Sequence, residues 1–273
     1  MIKAAVVQMR SSKDPLEMAL QLEQVIHAAA IKGVEYIQTP EMTGCIHSTR
    51  DELYAVIFND DDDPIVKMAS RLSAEHNIII HIGSTAIALD NGKVANRAFF
   101  FQNGNLKARY DKLHMFDVDL DYGESWRESS TYQAGREAVI VEASGAKFGL
   151  GICYDVRFPN LFRDQAIAGA QILTAPAAFT EQTGQAHWHV LQRARAIENG
   201  AFMISAAQGG THEDGRKTYG HSLIVSPWGD VLAEVKGNET GIAIADIDVQ
   251  VSAKARAKIP NLKNNSDYTV NSV

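Results

Sequence analysis

Near its start the chain twice runs from an Asp-Pro step through a helical repeat into a short β-branched segment, and this restricts the fold more than any other feature. Asp14-Pro15 supplies a capping side chain and a first-turn proline, and Leu20, Leu22, Val25 and Ile26 carry a helical pattern as far as Gly33. Val34-Glu35-Tyr36-Ile37 then reads as a buried strand ending at Thr39-Pro40-Glu41. Asp63-Pro64 opens a second helix reaching about His76, and Ile78-Ile79-Ile80-His81-Ile82 follows as a strand. With the apolar segment 3–9 in front, this alternation calls for a sheet covered by helices. The acidic run Asp60-Asp61-Asp62-Asp63 reads as a solvated helix start.

Further along, 94–102 and 106–110 flank Asn103-Gly104-Asn105, a hairpin signal, so strands here follow one another directly. An irregular stretch, 117–135, precedes strand patterns at 138–141 and 148–152. Next come a helix near 161–168, a strand at 172–174, a helix over 186–199 stopped by Gly200, and a strand at 202–207. Segments 221–225, 231–235 and 242–247, with the turn Ser226-Pro227-Trp228-Gly229-Asp230, read as a terminal meander. Hairpins mixed with alternating units argue for mixed sheets rather than a parallel barrel. No linker interrupts the pattern, so residues 1–257 are expected to form a single domain. The polar tail 258–273 is expected to pack on a partner subunit or to move freely.

The composition closes off other classes. A net charge of −7 argues against a nucleic-acid binder, and no apolar run approaches the roughly 20 residues of a membrane-spanning helix. The apolar start is halted by Arg10, Ser11, Ser12, Lys13 and Asp14, too early for a signal peptide, so a cytoplasmic protein is expected. Its two cysteines, Cys45 and Cys153, are then expected to stay thiols.

Cys153 closes the apolar run Gly149-Leu150-Gly151-Ile152 just before Tyr154-Asp155, where an exposed turn would present its sulfur. Alone, it reads equally as a small buried hydrophobe. A cysteine nucleophile needs a base or a cation, because little thiolate exists at neutral pH for an ordinary thiol. Glu41 and Lys112 also stand where apolar strands end, the usual place for ligands in α/β sheets. His187 and His189, two apart on one helix, point in different directions and cannot share a metal ion, and Gly149-Leu150-Gly151 completes no dinucleotide fingerprint.

Three stretches in this order carry a resemblance: Thr39-Pro40-Glu41-Met42-Thr43-Gly44, Tyr110-Asp111-Lys112-Leu113-His114, and Gly151-Ile152-Cys153-Tyr154-Asp155-Val156-Arg157-Phe158-Pro159. Through them the chain resembles the nitrilase superfamily of carbon–nitrogen hydrolases, and the likeness runs from Ala5-Val6-Val7-Gln8-Met9 to Pro227-Trp228-Gly229, leaving only the tail outside. The resemblance implies an α-β-β-α sandwich of two mixed sheets with outer helices and homodimers formed through helices; no cofactor is expected, since neither a metal motif nor a dinucleotide fingerprint is complete. By the same likeness Glu41 is the general base, Cys153 the nucleophile and Lys112 the stabiliser of the tetrahedral species. Glu128, in Trp126-Arg127-Glu128, is a second glutamate beside the lysine. Backbone N–H of Tyr154 is the expected oxyanion donor.

The segment Pro176-Ala177-Ala178-Phe179-Thr180-Glu181 is similar to the amidase side of the superfamily, and Tyr219-Gly220-His221-Ser222 is closer to its deaminated-glutathione branch than to its ω-amidase branch. That implies a small-molecule amide substrate with an α-keto acid end, with Ala177, Phe179 and Arg157 at the binding site. Arginines on helices, Arg193 and Arg195 among them, more often make structural contacts. Cys45 is expected to pack rather than react. Asn160 departs from the glutamate common in relatives after Arg-Phe-Pro. The alternatives are a nitrilase acting on C≡N with the same residues, and a scaffold that has lost its chemistry, for which a triad residue should be missing; none is.

Overall fold

The computed structural model of the protein describes residues 1–120, 125–264 and 266–272. The first half contains β1 (Ile2–Gln8), α1 (Pro15–Ile31), β2 (Tyr36–Gln38), α2 (Arg50–Tyr54), α3 (Pro64–His76), β3 (Ile79–Ala88), β4 (Val94–Gln102) and β5 (Asn105–Asp111). Three short strands follow, β6 (Asp117–Asp119), β7 (Ser125–Arg127) and β8 (Tyr132–Gln133), with a 3₁₀ turn at Glu128–Ser130. Next are β9 (Ile140–Ala143), β10 (Ala146–Gly149), a 3₁₀ turn at Cys153–Arg157, α4 (Pro159–Ile167), β11 (Ile172–Thr174), α5 (Glu181–Asn199) and β12 (Phe202–Ser205). The chain ends through β13 (Gly209–Thr211), β14 (Lys217–Tyr219), β15 (Leu223–Val225), β16 (Val231–Glu234), β17 (Gly241–Ile247) and α6 (Gln250–Lys258).

Two mixed sheets share one pattern. The first runs β17-β1-β2-β3-β4-β5, with β8 beside β4, and the second β9-β10-β11-β12-β15-β16. In both, the neighbours along the path are antiparallel, parallel, parallel, antiparallel and antiparallel. Residues alternate between faces along each strand, so Ala4 and Val6 of β1 turn toward the second sheet while Ala5 and Val7 turn outward. Between the sheets Tyr36 stacks on Phe148 at 5.0 Å. On the outer face of the first sheet Met18, Leu22 and Ile26 of α1 meet Ile65, Met68 and Leu72 of α3. Phe162 of α4 and Trp188 of α5 pack on the second sheet. This is the expected α-β-β-α sandwich, and burial on both faces explains why the parallel strands read as unbroken apolar runs.

Local signals were accurate where backbone chemistry is local. The Asp14 side chain accepts from Leu16 N at 2.8 Å and Asp63 from Ile65 N at 2.9 Å, each cap stabilising its helix by about 1 kcal/mol. Asn103 and Gly104 take φ of 52° and 77°, the left-handed pair of a two-residue hairpin turn. The acidic run is not uniformly solvated: Asp63 is buried, and Asp60 pairs with Arg97 at 2.9 Å and Arg109 at 2.8 Å. α5 begins five residues earlier than read, because Thr180 caps it through Thr183 N. The terminal strands form no meander, since β17 leaves its neighbour β16 and pairs with β1 in the other sheet. At the tail's start Asn261 O accepts from Arg163 Nη2 at 3.0 Å.

Candidate active site

Strand direction decides where the polar residues gather. β1, β2 and β3 are parallel, and two antiparallel steps return β5 to the same direction, so Glu41 and Lys112 leave at one end of the first sheet. Cys153 follows β10 and Ala178 follows β11, both in the parallel core of the second sheet. Close approach of the two sheet ends depends on Gly83. A Cβ there would stand 2.1 Å from Thr39 O and 2.4 Å from Pro176 Cβ, inside any tolerable contact. Glycine is required by space at this point, not by φ.

Glu41 lies in a turn pinned by Thr43 Oγ1, which donates to Pro40 O at 2.8 Å. Its Oε1 accepts from Lys112 Nζ at 2.9 Å and Asn96 Nδ2 at 2.9 Å, and its Oε2 from Ala178 N at 2.8 Å. Lys112 Nζ also donates to both oxygens of Glu128, at 3.0 and 2.8 Å, while Phe116 N donates to Glu128 Oε2 at 2.7 Å. The Cys153 thiol completes the group, near enough to Glu41 and Lys112 for both charges to act on it. The structure thus brings together all four expected residues, Glu41, Lys112, Glu128 and Cys153.

Cys153 is held in a left-handed conformation, φ 49°, costly for a side chain with a Cβ and kept only because the surroundings fix it. Its N–H donates to Pro176 O at 2.9 Å. Buried Asp155 anchors the turn, accepting from Ile152 N at 2.8 Å, Tyr110 Oη at 2.7 Å and His114 Nδ1 at 2.7 Å. Tyr110, on β5, and Lys112, one residue past the strand's end, are two apart in extended chain and therefore point the same way, one to the cysteine turn and the other to Glu41.

Electrostatics follow from this packing. Burial alone would discharge Lys112, yet the Glu128 and Glu41 carboxylates outweigh it and hold the ammonium well above its ordinary range. Burial likewise pushes Glu41 up, but Lys112 and the hydrogen bonds around it bring the carboxyl below its ordinary 4.5. For Cys153, burial and the Glu41 carboxylate raise the thiol well above its ordinary value against the pull of Lys112. The resting pair is thus carboxylate and thiol.

A cavity of about 470 Å³ opens above this group, walled by Tyr154, Phe179, Arg157 and Trp126 among others. Arg157 lies over the Phe179 ring at 5.2 Å and has no carboxylate partner among the described residues. Ala177 does not reach the cavity: it is fully buried, its N–H bonded to Ala206 O at 2.9 Å, and alternation along the chain puts Ala178 at the wall instead. Arg193 and Arg195 serve the structure, on Gly229 O and on Val156 O with Glu198. His187 faces Arg157 and His189 faces Glu234, in different directions as their spacing requires. Cys45 packs with Met42, Ile46 and Leu53 beside the cavity, and burial pushes its thiol up to about 12. Sequence reading missed Asn96, Asp155 and Gly83. The one available signal was Asn96, a polar side chain at a fully buried position of β4.

A buried Glu–Lys–Cys group stands at the strand ends of an α-β-β-α sandwich, and the chain belongs to the carbon-nitrogen hydrolase family, whose model matches residues 3–257. The protein is 37% identical to a deaminated glutathione amidase of Synechocystis sp., over 95% of this chain and 96% of that one. It is 35% identical to the omega-amidase NIT2-B of Xenopus laevis, covering 90% of this chain and 89% of the other. Its fold superposes on the crystal structure of the C. elegans NitFhit protein with a TM-score of 0.88 and 34% identity, covering 97% of this chain and 65% of that longer one.

Asn96 links Glu41 and Glu128 through one amide, at 2.9 and 3.1 Å. Asn96→Ala removes a donor that favours ionised Glu41, so the acid limb of kcat/KM, expected below 4.5, should move to higher pH. An unmoved limb in the pH profile would show that Asn96 does not tune the base.

Proposed function

We propose that the protein is a cysteine-dependent amidohydrolase that cleaves a small carboxamide to a carboxylic acid and ammonia, or an amine where the nitrogen is substituted. The observation that carries this reading is the gathering of the Glu41 carboxylate, the Lys112 ammonium bonded to it and the Cys153 thiol at the floor of one cavity. As Cys153 Sγ attacks the carbonyl carbon, its proton passes to Glu41, and the oxygen gains negative charge. Lys112 Nζ and the Tyr154 N–H, at the start of the 3₁₀ turn where backbone donors lack helical partners, stabilise that oxyanion. Glu41 then protonates the nitrogen, the C–N bond breaks and a thioester remains. Water, deprotonated by Glu41, attacks the thioester, and the C–S bond breaks to return acid and thiol. Glu128 keeps Lys112 charged and in place.

The names of the two relatives support a substrate that is an ω-amide of an α-keto acid or deaminated glutathione. Arg157, charged and without an acidic partner among the described residues, would take the keto-acid carboxylate, with Phe179 beneath it. Such a thiol must stay reduced to act, which suits the cytoplasm. Residues 1–257 would act as a single domain. Val190 and Ile197, seven apart on α5, and Trp228 leave apolar surface exposed, and we propose that this face pairs two subunits into a homodimer.

Cys153→Ala should lower product release by roughly 10⁴-fold or more with an unchanged circular dichroism spectrum. Retained turnover of a panel of amides would reject the mechanism. In light scattering the protein should run as a dimer and Val190→Asp with Ile197→Asp as a monomer; a monomeric parent contradicts the pairing.

A further inference from the structure

Four arginines line the cavity besides its catalytic floor, and three have settled roles. Arg127 is forked on Asp119 at 2.8 and 2.9 Å, Arg50 bonds Gly92 O and covers the Tyr54 ring, and Arg157 stands beside the cysteine turn. Arg216 differs. It sits on the hairpin between β13 and β14 with its guanidinium 4.6 Å over the Trp126 ring. Its Nη2 donates to His47 O at 3.2 Å, and the nearest carboxylate oxygen, Asp214 Oδ2, lies at 3.5 Å. Arg216 Nε, His47 Nδ1 and Asp214 Oδ2 are all buried without a hydrogen-bond partner among the described residues. Unmet buried donors are rare and call for a missing acceptor, and a guanidinium with spare N–H groups is shaped to receive a carboxylate.

Position says which carboxylate. A row of rings runs along the cavity wall: Trp126 to Phe116 at 6.3 Å, then Phe116 to Tyr154 at 5.1 Å, the residue after Cys153. Arg216 lies on the first ring and Arg157 at 5.9 Å from the last, so two cations stand at opposite ends of one aromatic wall. A short amide anchored beside Cys153 through Arg157 leaves the Arg216 end unused.

Resting on the amidase reading, we propose that Arg216 forms a second anion subsite, and that the preferred substrate is an N-substituted amide with a carboxylate on each side of the scissile bond. Deaminated glutathione, a secondary amide with a carboxylate at either end, has this form. The short ω-amide of an α-keto acid does not.

The test measures binding by calorimetry to the non-reacting Cys153→Ala protein, with and without Arg216→Gln, using deaminated glutathione and the short ω-amide of α-ketoglutaric acid. Arg216→Gln should reduce the preference for the long ligand over the short one about tenfold or more, and Arg216→Lys, which keeps the charge but not the planar fork, should restore part of it. In the reactive enzyme the same substitution should raise KM for deaminated glutathione while kcat changes less than about threefold. Equal weakening of both ligands, no change in either, or no binding of the long amide by the Cys153→Ala protein would overturn the assignment. Failure of the amidase reading shows separately, as absence of turnover in the intact enzyme while the binding comparison still decides the role of Arg216.

Discussion

One buried ammonium organises the molecule's chemistry. Lys112 is almost wholly removed from water, where an unpaired charge would cost several kcal/mol. Its contacts at 2.8 and 2.9 Å with Glu128 and Glu41 offset that cost and fix three side chains from distant parts of the chain. Two carboxylates and one ammonium leave the group with one net negative charge. Burial first, and then that surplus, favour the neutral form of Cys153: a thiol suits this dry site better than a second anion beside Glu41. On the proposed mechanism the thiol is therefore activated as substrate is attacked, not stored as thiolate.

The fold supplies the convergence. Two sheets with the same sequence of parallel and antiparallel neighbours present their strand ends to one another, so the segments that carry Glu41, Lys112, Cys153 and Ala178 meet. Two features keep the meeting accurate. Gly83 allows Thr39 and Pro176 to approach within a distance no side chain permits. Tyr110 ties β5 to Asp155, so the strand that leads into Lys112 also steadies the turn carrying Cys153. Belonging to the carbon-nitrogen hydrolase family fits this division between a rigid floor and a cavity wall built from loops.

Much of this was legible in the sequence, for physical reasons that differ by element. Asp14 and Asp63 were readable because a cap is satisfied by residues two or three away. Glu41, Lys112 and Cys153 were readable as polar ends of apolar strands and through the motifs around them. Strand partnership was not, since nothing in 241–247 says that it returns to β1. Asn96 acts within the first sheet and Asp155 across the two sheets, through residues 55 and 45 positions away, and Arg216 reaches the cavity only once its hairpin is placed. The choice of Ala177 over Ala178 failed by one residue, which in an extended chain is the difference between core and wall.

The central claim is that Glu41 and its neighbours keep the Cys153 sulfur protonated at rest. Ultraviolet titration of the thiolate, taken as the difference between the protein and Cys153→Ala, measures this directly. The account predicts no thiolate at neutral pH and an onset above the ordinary cysteine range, moving down when Glu41→Gln removes the opposing carboxylate. Thiolate already present at neutral pH, or an onset that Glu41→Gln leaves in place, would contradict it.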